Sequence, residues 1–233
     1  MHIKLVHVEA GLRSFNKRMP EEINRVLTDH ISDILFCPTQ TAVENLKNEG
    51  ITNGVYLVGD VMFDALLHFS KISDMKSNIL ERLNIKPNEY YLDKIHRAES
   101  MDNYERHKNM LTAFSKMDKI VVFPIHPRTR KMISYYRLDD LLENDNVRVI
   151  DPVGYLDMLK LEKNAKAILT DSGELQKEAI WLRAPCITLR DETEWIETIN
   201  FGWNRLVGSN VEKILEAVRD LKFGVNVSFE NDF

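Results

Sequence analysis

The stretch Ala167-Ile168-Leu169-Thr170-Asp171-Ser172-Gly173-Glu174-Leu175-Gln176-Lys177-Glu178 decides how the chain is read. Its first four residues suit a short buried strand. A Ser-Gly turn follows, and helical spacing runs on to about Leu182. A strand that turns directly into a helix leaves the first N–H groups of that helix without intrahelical acceptors. Those donors, with the positive end of the helix dipole, bind phosphate without needing a Lys. Glu178 lies six residues beyond Ser172, roughly 9 Å along a helix. A carboxylate so placed can accept both hydroxyls of a ribose whose diphosphate rests on the helix start. The plainer alternative makes Ser172 an ordinary N-cap and Glu178 a solvated helix residue.

Strands and helices alternate outward from this stretch. Ile3–Val8, Ile34–Cys37, Val55–Val58, Tyr90–Ile95, Lys119–Ile125, Val147–Ile150, Ala167–Thr170 and Cys186–Leu189 read as strands. Glu21–Ser32, Tyr104–Met117, Tyr155–Ala165, Glu174–Leu182 and Val211–Leu221 read as helices. Pro20 suits a first helical position, with Glu21 and Glu22 in the first turn. Thr41-Ala42-Val43-Glu44 fits a capping box, and Gly50 suits the C′ position of that helix. Such alternation implies βαβ units, a mostly parallel sheet and an α/β fold. The polar stretch Ser70–Asn88 marks a candidate domain junction, dividing the chain into residues 1–65 and 70–233.

Composition narrows the function classes. The chain has 233 residues, 44% hydrophobic and 29% charged, which fits a folded protein. Its net charge of −5 argues against a broad basic nucleic-acid surface. No apolar run approaches the length of a membrane span or a signal sequence, so no membrane partner is expected. The only two cysteines, Cys37 and Cys186, are too few for a disulfide framework and suit a reducing, cytoplasmic setting. No zinc spacing and no G-x-x-x-x-G-K-[ST] loop occurs, so neither a metal nor that type of phosphate loop is expected.

In an open α/β sheet, ligands sit beyond the carboxyl ends of the strands. Five such ends carry reactive or charged groups: His7-Val8-Glu9-Ala10-Gly11-Leu12-Arg13, His96-Arg97-Ala98-Glu99, His126-Pro127-Arg128, Asp171-Ser172-Gly173-Glu174 and Arg190-Asp191-Glu192. Taken singly, Glu21 reads as a first-turn acid serving the helix dipole. His96 reads as a structural histidine and Arg13 as a surface or salt-bridged residue. His30, His68 and His107 have no motif context and read as solvated or packed. Trp181 and Trp203 read as core or rim residues.

Together, these segments resemble the non-hydrolysing UDP-N-acetylglucosamine 2-epimerases. The resemblance rests on His7–Arg13, Pro20-Glu21-Glu22-Ile23-Asn24-Arg25, Ile95–Glu99, the Asp171-Ser172-Gly173 turn with Glu178, and Leu189-Arg190-Asp191-Glu192-Thr193-Glu194-Trp195, in that order. It implies two Rossmann-like domains facing a cleft, as in one large class of glycosyltransferases (GT-B). The family's G/R-rich loop and a Gly-Asp motif precede the strand that opens this chain, and its Gly-rich stretch and closing helix follow Phe233. The resemblance therefore implies an incomplete N-terminal domain and a chain that is part of a longer protein.

It also implies an activity. The family interconverts UDP-N-acetylglucosamine and UDP-N-acetylmannosamine, precursors of cell-surface polysaccharides, by eliminating UDP to a 2-acetamidoglucal and adding it back. It uses no cofactor. Glu9 and Glu21 match proton-handling glutamates, and His96 matches the histidine near the diphosphate. Ser172, Gly173, Glu174 and Glu178 match the UDP-binding positions, with Glu178 on the ribose, and Arg25 and His126 are further candidates for contacts in the cleft. A homodimer is implied, with a UDP-sugar as small-molecule partner. An inactive nucleotide-sugar-binding fragment is the alternative. An unrelated two-domain glycosyltransferase is disfavoured, because its acceptor-side motifs are missing. Three positions depart from the family pattern: Glu174 replaces a second Gly, Lys177 replaces an acid, and Lys94 replaces a small Thr.

Overall fold

The computed structural model describes residues 3–221; Met1, His2 and the stretch that ends at Phe233 lie outside the described residues. The chain divides into two compact units between Leu67 and His68.

The first unit holds a parallel three-stranded sheet in the order β1-β2-β3. Its elements are β1 (Val6–Val8), α1 (Pro20–Ile31), β2 (Ile34–Cys37), α2 (Gln40–Asn48) and β3 (Val55–Leu57). Strand β1 is shorter than the apolar run suggests. The Leu5 carbonyl turns aside to accept from Asp33 and Ile34 N–H at 2.9 and 3.2 Å. Helix α1 begins at Pro20, whose missing N–H costs nothing in a first turn. Helix α2 starts earlier than the expected capping box. Thr39, not Thr41, is the N-cap, and its hydroxyl accepts from Ala42 N–H at 3.2 Å. The helix ends as expected. Gly50 takes φ +82°, Gly50 N–H reaches the Lys47 carbonyl, and Ile51 N–H reaches the Leu46 carbonyl. That is a Schellman motif.

Helix α3 (Val61–Lys76) follows and crosses the division between the units. It was not legible as a helix, because its second half runs into polar residues. The Asp60 carboxylate starts it by accepting from Met62 N–H at 2.8 Å. The polar stretch Ser70–Asn88 is therefore largely helical, with α4 (Ile79–Arg82) as its second piece.

The second unit is a six-stranded, all-parallel sheet in the order β6-β5-β4-β7-β8-β9. Its strands are β4 (Tyr90–Lys94), β5 (Ile120–Pro124), β6 (Val147–Ile150), β7 (Ala167–Thr170), β8 (Cys186–Thr188) and β9 (Asn204–Leu206). Its helices are α5 (Ala98–Met101), α6 (Tyr104–Ser115), α7 (Pro127–Tyr135), α8 (Tyr155–Asn164), α9 (Gly173–Trp181), α10 (Ile196–Asn200) and α11 (Val211–Arg219). Alternate strand residues feed two cores. Tyr91, Phe123, Leu169 and Ile187 pack with Met110, Phe114, Ile133 and Ile214 from α6, α7 and α11. Tyr90, Leu92, Val122 and Ile168 pack with Ile79, Leu161, Leu175 and Ala179 from α4, α8 and α9. Burying both faces of a parallel sheet requires apolar residues at nearly every strand position, as the sequence of β7 has.

Candidate functional site

Taken in chain order, the six strands of the larger sheet stand 3-2-1-4-5-6, and the order reverses between β4 and β7. Crevices at such switch points hold ligands, because the loops after the two strands diverge to opposite faces. The loop after β4 is Ile95-His96-Arg97, and the loop after β7 is Asp171-Ser172-Gly173. Both are segments that the sequence singles out.

Asp171 joins them. Fully buried, it accepts the backbone N–H groups of His96, at 3.1 Å, and Arg97, at 3.0 Å. The His96 ring stands close by, with Nδ1 3.6 Å from an Asp171 oxygen. Burial lowers the affinity of that ring for a proton, and Lys94, Arg97 and His126 lower it further, against the opposing pull of Asp171. A neutral imidazole is thus favoured, able to donate a single N–H to an anion.

The start of α9 is equally constrained. The Ser172 hydroxyl makes no capping bond; instead Ser172 N–H donates to the Thr170 hydroxyl at 3.0 Å. At Gly173, a Cβ would lie 2.7 Å from Glu194 Oε1 and 3.0 Å from Trp195 Nε1, so the position has no room for a side chain. Glu194 is clamped between Arg190 at 2.9 Å and Arg97 at 3.2 Å. Burial alone would raise its carboxyl, but the two arginines hold it below the usual range. Glu174 is exposed on the first turn of α9.

A cavity of about 360 Å³ opens beside these loops, lined by Lys94, His96, Pro124, His126, Val153 and Tyr155 among others. His126 caps α7, its Nδ1 accepting from Arg128 N–H at 3.2 Å. That bond leaves Nε2 to carry the proton. Tyr155 donates to Glu178 Oε1 at 2.9 Å. Burial raises the Glu178 carboxyl and Glu174 adds to the rise, while Tyr155, Lys94 and Lys177 oppose it. Glu162, fully buried on α8, is held well above the usual carboxylate range by burial and then by the charge of Glu178. The neighbouring pair thus keeps its proton on Glu162, leaving Glu178 as the acceptor.

Two of the family departures acquire a setting. Lys94 lines the cavity and adds positive charge to it. Lys177 does not face the cavity. It is buried under Trp195, with Nζ 4.1 Å from that ring centre and 5.7 Å from the Trp181 ring centre.

Within the first unit, Glu9, Glu21 and Arg25 sit around one loop. Asp29 organises it, accepting from Gly11 N–H at 3.1 Å and Arg13 at 2.7 Å, and pairing with His7 Nδ1 at 2.6 Å. Arg13 also makes a two-pronged pair with Glu49 at 2.7 and 2.8 Å, so it is a salt-bridged residue of the interior. Added at Gly11, a Cβ would collide with the Ala42 carbonyl. Half-buried Glu9 takes a left-handed backbone, φ +66°, a strained conformation of the kind that collects at functional sites. Glu22 accepts from Ser14 and Phe15 N–H at 3.0 and 2.8 Å and lies 3.4 Å from Arg25. Glu21 is exposed beside it. His96, Ser172, Gly173, Glu174, Glu178 and His126 all belong to the second unit.

The sequence motifs contain Asp171, Arg97 and Glu194 without assigning them a role, and do not reach Tyr155 or Asp29. Asp171, at the end of a buried strand in company with His96, was the one with a detectable signal. The others act through contacts that no local pattern announces.

The UDP-N-acetylglucosamine 2-epimerase family model matches residues 1–228. A UDP-N-acetylglucosamine 2-epimerase homolog of Methanococcus maripaludis is 57% identical over 220 residues, covering 94% of this chain and 62% of that protein. The UDP-2,3-diacetamido-2,3-dideoxy-D-glucuronate 2-epimerase of Pseudomonas aeruginosa is 45% identical, covering 94% and 61%. The crystal structure of the Methanocaldococcus jannaschii UDP-GlcNAc 2-epimerase, in complex with UDP-GlcNAc and UDP, superposes with a TM-score of 0.88 at 49% identity, again covering 94% and 62%. The chain therefore spans a little over three-fifths of the length of these relatives. With the family model matched along nearly its whole length, and the family's motifs standing at the sheet switch point and around the Asp29 loop, the chain belongs to the UDP-N-acetylglucosamine 2-epimerase family.

Proposed function

We propose that this chain carries out UDP-N-acetylglucosamine 2-epimerisation, interconverting UDP-GlcNAc and UDP-ManNAc. The observation that supports this most is the Asp171 clamp. It fixes His96 and the Ser172-Gly173 helix start together at the switch point. In this reading a base removes the C2 proton while the C1–O bond breaks, releasing UDP and leaving a 2-acetamidoglucal. UDP then re-adds at C1 as a proton reaches the opposite face of C2. Glu9 and Glu21 handle the protons at C2. His96 donates to the departing diphosphate, and the Ser172 hydroxyl with the N–H groups of Gly173 and Glu174 at the start of α9 hold it. Glu178 accepts the ribose hydroxyls, and Arg25 and His126 complete the polar contacts. The protein works in the cytoplasm, as a homodimer.

The relative named for a diacetamido glucuronate substrate makes the hexose the open variable of this reading. Purified protein is offered UDP-GlcNAc and, separately, the UDP-diacetamido-glucuronate, and products are resolved by chromatography. UDP-ManNAc formation that Glu9→Gln abolishes supports the proposal. Turnover of the glucuronate alone shifts the substrate. UDP binding without turnover of either leaves a binding fragment and rejects catalysis by this chain.

A further inference from the structure

Tyr155 stands where no recognised motif reaches, at the first position of α8, yet it spans to the carboxylate of α9. Its position is heavily determined. The ring meets Phe69 edge-on at 5.7 Å between centroids, and the next residue's carbonyl, Leu156, accepts the Ser73 hydroxyl at 2.6 Å. From that anchored base the hydroxyl donates to Glu178 Oε1 at 2.9 Å. The same residue lines the cavity with Lys94, His96 and His126. Glu162, fully buried on α8, neighbours Glu178.

A glutamate side chain has three rotatable bonds, and ordering it on ligand binding costs free energy. A vicinal diol needs both carboxylate oxygens presented in one orientation. A phenol O–H donated to an ionised carboxylate is a charge-assisted bond, stronger than a neutral one. Here it holds one carboxylate oxygen, Oε1, in place.

We propose that Tyr155 is a positioning residue: it presets Glu178 to receive the two ribose hydroxyls and so makes the site select a ribonucleoside diphosphate over its 2′-deoxy counterpart. This rests on the reading above that Glu178 faces the ribose.

The test is a calorimetric titration of the whole chain with UDP and with 2′-deoxy-UDP, for the parent, Tyr155→Phe and Glu178→Gln. The parent binds UDP more tightly than 2′-deoxy-UDP. Tyr155→Phe weakens UDP by about 5–10-fold, the worth of one good hydrogen bond, and 2′-deoxy-UDP by less than about twofold on the same scale, so the preference shrinks. Equal weakening of both ligands makes Tyr155 a packing residue and overturns the proposal, as does no change in either. The Glu178→Gln arm separates the two levels of inference. If the parent preference survives it intact, Glu178 does not read the ribose, and the assignment fails together with the role of Tyr155. If Glu178→Gln removes the preference and Tyr155→Phe does not, only the role of Tyr155 fails.

Discussion

The buried carboxylate of Asp171 accepts the backbone N–H of His96 at 3.1 Å, tying the loop after β4 to the turn that opens α9. One side chain thereby sets the spacing between the histidine and the helix start. Replacing it with Asn turns an acceptor into a group that also presents N–H donors to two N–H donors. We predict that Asp171→Asn lowers unfolding stability by about 1–3 kcal/mol, the cost of leaving buried donors unsatisfied. Urea denaturation measures this. UDP affinity falls along with it, because both loops lose their common anchor.

Gly173 has no room for a methyl group. A Cβ would meet Glu194 at 2.7 Å, and Glu194 cannot swing away freely because Arg190 and Arg97 hold it. Gly173→Ala is predicted to cost about 1–3 kcal/mol, as overpacking typically does, and to weaken UDP binding. A variant as stable and as tight-binding as the parent contradicts the packed geometry of the turn.

Lys177 contributes through Trp195 rather than through the ligand. Lys177→Met keeps the apolar stem and removes the charge over the indole ring; the predicted loss is about 1–2 kcal/mol, the scale of a desolvated cation–π contact. Lys177→Arg retains the contact and most of the stability, whereas Lys177→Glu sets a carboxylate over the negative ring face and is worse than Met. Thermal unfolding of the three variants ranks them.

His107 gives the fold a pH dependence. It is fully buried beneath Tyr136, and burial pushes its imidazole from an ordinary 6.5 down to about 4, against the opposing pull of Asp171. Between those values the unfolded chain binds a proton that the folded chain cannot hold. Stability from this group is complete above 6.5 and is lost as pH falls toward 4, with a slope of up to about 1.4 kcal/mol per pH unit. Urea midpoints measured from pH 7 to pH 5 should fall in the parent and fall less in His107→Leu.

Much of this is legible in the sequence. Thr170–Glu178 announced a strand, a tight turn and a helix because the turn residues and the apolar run are local signals. Gly50 announced its Schellman ending for the same reason. Helix α7 was missed although His126-Pro127 carries the Pro of a helix start, because its Lys- and Arg-rich body has little apolar periodicity. Strand β9 was missed because Asn204-Arg205-Leu206 is short and polar, and is held by pairing to β8. Lys177 looked like a departure at the ligand. On a helix, however, residues 173, 177 and 181 share one face, and that face is turned to Trp195 rather than to the side carrying Glu174 and Glu178. The Asp29 loop and the Tyr155 bond join residues 18 and 23 positions apart in sequence, which no local pattern reports.

We propose that a uridine diphosphate is held at the β4–β7 switch point. Amide chemical shifts followed by NMR during titration with UDP test it most directly. The largest and saturable shifts are expected on His96, Arg97, Ser172 and Gly173, and Asp171→Asn should weaken them together. Saturable binding whose shifts leave these four amides unmoved, or no binding by the folded parent, would contradict it.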